Sequence, residues 1–264
     1  GTVTNIGAGS GTTTISAAVG SNVTGITENS TTSALTVSGA LTVNSAGTTL
    51  TNSNASGSAL LTVSGGVTGT GNLTLNNNSA IANGITLSTA AVNNTGTITN
   101  SGTGTGATLI SAAIGSNVTG VVENSTTSAL TLSGVNTYTG GTTIKAGTVI
   151  ATSAAANALG TGTVTLGNSA GGSNAASLLI GTTGLTYSNA IVLASTTTGT
   201  LTLGNTGTAI STTFSGGVTG TNNLTINSNA TTGTITLSTV AVNNAGTVTN
   251  IGSGSGATLI SAVI

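Results

Sequence analysis

The chain has 264 residues, and one Lys and two Glu are its only charged side chains; His, Cys, Met, Trp and Pro are absent. Charged residues make up about a quarter of an ordinary soluble domain, so nearly all groups that do acid–base work, hold hard metals or grip phosphate are missing. These counts argue against conventional enzyme chemistry, a disulfide framework and a thiolate metal site.

Disorder is the first alternative for a chain so rich in Ser, Thr, Asn and Gly. Disordered chains usually pair low hydrophobicity with high net charge. Here the net charge is −1 and the mean hydropathy is +0.42, which favours order. No run of about 18 apolar residues is present, so no transmembrane helix is expected. The first residues carry no basic n-region of a signal peptide, and the chain begins with Gly1, as an excised or processed piece would.

Taken in chain order, the elements are short pieces of the type apolar-Thr-apolar. Leu35-Thr36-Val37, Leu61-Thr62-Val63, Leu73-Thr74-Leu75 and Ile85-Thr86-Leu87 come first. Leu130-Thr131-Leu132, Val164-Thr165-Leu166, Leu201-Thr202-Leu203, Leu224-Thr225-Ile226 and Ile235-Thr236-Leu237 follow. Each has the period of two of a strand with one buried face, and β-branched residues suit a pleated surface. Gly, Asn and Ser between them supply turns. ATLISAAIG, from Ala107, leaves room for one and a half turns of helix at most, because Gly and β-branched residues flank it.

These pieces lie inside long internal repeats. Residues 1–39 recur as residues 96–134, and the same block opens again at Gly246 and breaks off at Ile264. GGVTGTGNLTLNNNSA from Gly65 returns as GGVTGTNNLTINSNAT from Gly216. The offsets of 95 and 150 residues differ, which is awkward for a closed barrel, where strand number and shear must agree. A solenoid absorbs added coils by growing longer. The expected fold is therefore all-β: a parallel β-helix (β-solenoid) built from apolar-Thr-apolar strands and Gly/Asn/Ser turns. Residues 1–264 read as one continuous segment of a longer array, with copies starting at 1, 96 and 246. Two or three strands per coil imply about 19–24 residues per coil, about 11–14 coils, and a rod about 50–70 Å long at an inter-strand rise of about 4.8 Å. The absence of Pro fits, since it would remove ladder donors.

Residues 130–166, LTLSGVNTYTGGTTIKAGTVIATSAAANALGTGTVTL, carry the sharpest pattern. The elements are Leu130-Thr131-Leu132-Ser133-Gly134, Asn136-Thr137-Tyr138 with Gly140 and Gly141, Thr143-Ile144, Gly147-Thr148-Val149, Ala158-Leu159-Gly160 and Gly162-Thr163-Val164. This stretch resembles the autotransporter-associated β-strand repeat of bacterial surface passenger domains. The resemblance implies a right-handed parallel β-helix displayed outside the cell, and it brings no catalytic residues.

Candidate sites are sparse. Glu28 and Glu123 occupy equivalent positions of the two long copies, four or five coils apart, hence about 19–24 Å. Glycosidase carboxylates lie within about 9.5 Å, so each Glu reads as a polar turn residue of ENSTTSAL. Gly7-Ala8-Gly9-Ser10-Gly11 and Gly102-Thr103-Gly104-Thr105-Gly106 imitate a dinucleotide loop, yet the spacing is G-x-G-x-G and no helix follows, so flexible turns are expected. Lys145 alone makes no basic patch, and Tyr138, Tyr187 and Phe214 are too few for stacking platforms. Repeated Asp for Ca²⁺ is absent. Triplets such as Asn22-Val23-Thr24 and Asn117-Val118-Thr119 would accept glycans after secretion. No catalytic, cofactor or metal residues are assigned.

The expected role is a non-catalytic structural segment of a large extracellular bacterial surface protein or fibre. Its partners would be copies of itself, end to end or laterally, and envelope or matrix glycans; nucleic acid is not expected. The alternative is the stalk of an autotransporter-type adhesin. A third reading, an ice-binding solenoid, would need Thr-x-Thr pieces such as Thr2-Val3-Thr4, Thr97-Ile98-Thr99, Thr163-Val164-Thr165, Thr234-Ile235-Thr236 and Thr247-Val248-Thr249 to align on nearly every coil.

Overall fold

In the computed structural model, which describes residues 1–264, the chain is a parallel β-solenoid without helices. It winds through eleven coils of three sides each. The first side stacks Thr2–Asn5, Gly25–Glu28, Thr48–Asn52, Leu73–Asn77, Thr97–Asn100 and Gly120–Asn124 in coils 1 to 6. It continues through Thr142–Ala151, Val164–Leu166, Ile191–Leu193, Val218–Gly220 and Val242–Asn244 in coils 7 to 11. The second side runs in the same way from Thr13–Ile15 to Val248–Asn250. The third carries Leu41–Val43 and Val67–Gly69 early, and Leu185–Tyr187, Thr212–Phe214, Ile235–Leu237 and Thr258–Ile260 late.

Every pairing is parallel, so each strand finds its backbone partners one coil away along the axis. The length of a coil is the interval between register partners. The coil from Val121 to Thr142 is short and the coil from Val164 to Ile191 is long. The average coil takes about 24 residues, so the longest exceed the expected range. Ten rises of about 4.8 Å make the rod about 50 Å long. ATLISAAIG forms no helical turn: Thr108–Ile110 is a second-side strand.

Alternation decides what goes inside. Leu61 and Val63 are buried and Thr62 faces out, and the same in-out-in pattern holds for Leu35–Val37, Ile85–Leu87 and Leu130–Leu132. Because register is kept, like stacks on like: Val37, Val63, Leu87, Ile110 and Leu132 form one column. One apolar core of 46 residues runs from Val19 to Val242. Burying each Leu, Ile or Val contributes about 1.5–3 kcal/mol, distributed evenly along the axis rather than concentrated at one centre. Tyr187 and Phe214 extend a third-side column with ring centroids 6.1 Å apart.

The long repeats do not all land on the same side. The copies at 1 and 96 place their TVTN and TITN strands on the first side, four coils apart. The copy at 246 places Val248–Asn250 on the second side and Thr258–Ile260 on the third. Its frame has turned by one side, and the block at 216 has turned with it, since Val67–Gly69 lies on the third side but Val218–Gly220 on the first. The offset between the first two copies thus traverses four coils, and the offset to the third traverses six coils and one further side. The unit that repeats is a side of about eight residues. Its local backbone survives the rotation: Thr89 and Thr239 hold the same left-handed conformation, φ 66° and 69°, at equivalent points on different sides.

Candidate functional site

Polar side chains that point inward collect at the corner between the first and second sides. Asn5, Glu28, Asn52 and Asn77 stack there in register, and all are buried. A corner leaves backbone carbonyls without strand partners, and buried polar groups must be paired. The Asn amides do this: Asn52 Nδ2 donates to Ala59 O at 3.0 Å and Gly84 O at 2.7 Å, and Asn77 Nδ2 to Gly106 O at 2.8 Å.

Glu28 and Glu123 complete two copies of one network. Each is fully buried and lies within a strand, which differs from the polar turn residue expected of ENSTTSAL. The reason is that each occupies the last inward position of its strand and lies directly over an Asn of the preceding coil. Asn100 Nδ2 donates to Glu123 Oε2 at 2.8 Å, and the Ser125 N–H donates to Oε1 at 2.7 Å. Asn5 Nδ2 and the Ser30 N–H hold Glu28 in the same way at 2.9 and 2.6 Å. Ser128 N–H donates to Ser125 Oγ, and Ser128 Oγ donates to Gly106 O at 2.8 Å, tying the turn to the coil beneath. Burial raises the Glu123 carboxyl from 4.5 to about 9, against the smaller opposing pull of the Asn100 and backbone N–H donors. Held by these donors, each carboxyl fastens its turn to the coil beneath.

The two carboxyls are four coils apart on one side, about 19 Å at the inter-strand rise. The structure does not bring them together, and neither reaches an open cleft. The Gly102–Gly106 run also differs from a flexible turn. Gly102, Gly104 and Gly106 lie against the backbone of the coil below, where a Cβ would come within 2.0–2.3 Å of a carbonyl oxygen. Gly104 N–H donates to Asn77 O and Gly106 N–H to Ser79 O, both at 3.0 Å. The five Thr-x-Thr pieces fall on all three sides: 2–4, 97–99 and 163–165 on the first, 247–249 on the second, 234–236 on the third.

Residues 130–166 explain their own spacing. Asn136 Oδ1 accepts the Ile114 N–H of the coil below at 2.8 Å, and its Nδ2 donates to Ala158 O of the coil above at 2.6 Å. Tyr138 is buried, and its hydroxyl meets Thr142 Oγ1 at 2.7 Å. Gly160 caps that ring, where a Cβ would stand 2.8 Å from Tyr138 Cε2. The strand Thr142–Ala151 then rounds the corner without a loop. Thr142–Ile144 pair on the first side and Gly147–Ala151 on the second, with Gly147 at φ 77° where the chain bends.

No group of His, Cys, Asp or Glu is placed to hold a metal ion. No helix is long and apolar enough to cross a membrane. No curated protein and no solved structure gives a significant match. Residues 127–151 match the family model described as Passenger-associated-transport-repeat, a span that ends with the corner-rounding strand and leaves the Ala158-Leu159-Gly160 element outside. In coils 6 and 7 the chain therefore carries a repeat of the autotransporter-passenger type, set in a parallel β-solenoid.

Proposed function

We propose that the chain is a non-catalytic structural segment of a large extracellular bacterial surface protein or fibre, and that its coils stack end to end with further coils. The passenger-type repeat and the solenoid fold point to a passenger segment, and that family implies a surface or extracellular protein.

One observation carries the stacking: every strand pairing is parallel, and the apolar columns keep register from coil to coil, as Val37, Val63, Leu87, Ile110 and Leu132 do. Each coil is thus completed by the coil next to it, and an array of this kind grows by adding coils, whether of the same chain or of a second.

Electron microscopy of the native material tests this reading. Uniform filaments with an axial repeat near 4.8 Å are expected. Globular particles would sink the solenoid itself. Separate short rods tethered at one end would instead favour the stalk of an adhesin, the reading that the passenger-type match also suits.

A further inference from the structure

We propose that the step at the first corner of coils 9 to 11 is a binding site for a neutral saccharide, a role that goes beyond a stacking rod. A depression of about 230 Å³ opens there, with one apolar residue among the nine that line it. Its floor is four side chains of the second side and the corner leading into it. Thr225 and Thr249 are register partners one coil apart, and Asn223 and Thr247 precede them by two residues. They mark a rectangle of about 4.8 by 6.6 Å, close to the footprint of one pyranose ring.

The wall is a consequence of coil length. Coil 8 runs from Val164 to Ile191 and coil 9 from Ile191 to Val218, whereas coil 10, from Val218 to Val242, is shorter than either. Part of the surplus lies at the first corner, where Thr197 bridges to Gly172 and the Thr198 N–H donates to Gly172 O at 2.9 Å. The segment Thr198–Thr200 therefore stands over the tighter first corners of coils 10 and 11, where Leu224 follows Val218 and Val248 follows Val242 closely. Asn222 pins wall to floor, its Nδ2 donating to Ala194 O at 3.0 Å and Thr197 O at 2.5 Å.

The floor groups are oriented and free. Asn223 Oδ1 accepts the Thr247 N–H at 2.9 Å, which leaves its Nδ2 without a partner in the chain. The hydroxyls of Thr225, Thr247 and Thr249 make no bond to the protein. The site therefore offers several hydroxyls, each donor and acceptor, and one amide donor. Lys145, Glu28 and Glu123 all lie in earlier coils, so nothing charged lines it to bind a phosphate or carboxylate. A ligand that is uncharged, ring-sized and rich in hydroxyls satisfies this lining. Without an aromatic platform, an affinity at about the millimolar level is expected.

Saturation-transfer NMR with methyl glycosides of glucose, galactose, mannose and N-acetylglucosamine, and with the corresponding disaccharides, tests the proposal. The probe variant is T225V/T249V, which keeps β-branched side chains at exposed positions. The control is T36V/T62V, the same stacked pair in coils 2 and 3 without a wall. Thermal melts establish that both variants fold. At least one neutral glycoside should bind the wild type and the control alike, and bind the probe variant about tenfold more weakly or worse. Tighter binding of the disaccharide would mark a polysaccharide as the source, and equal binding a free sugar. Absence of binding by every glycoside, binding unaffected by T225V/T249V, or equal loss in T36V/T62V would each overturn the assignment.

Discussion

The buried carboxyl of Glu123 makes this rod more stable in acid. Its ordinary value of 4.5 is pushed up to about 9 by burial. Between those values the folded chain holds a proton that the unfolded chain has released, so stability is greatest below pH 4.5 and declines as the pH rises toward 9. One unit corresponds to 1.36 kcal/mol, so the loss by pH 7 is about 3 kcal/mol and the loss by pH 9 about 6 kcal/mol at most. The perturbation is E123Q, which cannot ionise. The Asn100 amide must turn to meet the new side chain, a fixed cost that does not vary with pH. The chain lacks His, and E123Q is the single change between the two proteins, so the difference between them isolates Glu123. Denaturant unfolding at intervals from pH 4 to 9 measures it. Should coils open independently, hydrogen exchange at the Ser125 and Ser128 amides supplies the local value. The variant should gain on the wild type by about 3 kcal/mol between pH 4.5 and 7. A difference that stays level across this range would refute the reasoning.

Six substitutions probe packing elsewhere. Leu87→Ala empties a place in the aliphatic column between Val63 and Ile110 and should cost about 2–5 kcal/mol in unfolding free energy. Gly140→Ala drives a Cβ to 1.7 Å from Thr119 O and should disrupt coil 6, while Gly9→Ala meets nothing within 4 Å and should leave the melting temperature unchanged. Tyr138→Phe removes the bond to Thr142 and should cost about 1 kcal/mol, whereas Tyr187→Phe should be neutral or stabilising because the Tyr187 hydroxyl is buried without a partner. Thr89→Gly relieves a β-branched residue at φ 66° and should raise stability by about 1 kcal/mol, read from paired melts.

The strands were legible because a one-sided buried strand writes its face into every second residue, as Leu61-Thr62-Val63 does. The depth of the two Glu residues was not, because ENSTTSAL has the composition of a turn. A signal was nonetheless present: Asn5 precedes Glu28, and Asn100 precedes Glu123, by the length of one coil. That interval places an amide directly beneath each carboxyl. The rotation of the third copy was legible in the same arithmetic, since the first offset is close to a whole number of average coils and the second is not. What composition could not reveal is the step at coils 9 to 11. Thr198–Thr200 differs in no residue type from corners that stay flush, and only the register shows that its coil is longer.

The central claim is the register of the ladder, and disulfide mapping tests it most directly. The chain has no Cys, so introduced pairs report without background. Register partners on adjacent coils stand about 4.8 Å apart, within the Cα range of about 4.4–6.8 Å that a disulfide spans. Thr36→Cys/Thr62→Cys on the second side early and Thr202→Cys/Thr225→Cys on the same side late should both close under mild oxidation. Thr36→Cys/Thr74→Cys, which joins different sides, should not. The decisive pair is Thr225→Cys/Thr249→Cys, because it closes only if the copy at 246 has turned onto the second side. Closure of all three register pairs with an open control is the predicted result. Failure of the register pairs, or closure of the control, would contradict the fold on which the rest depends.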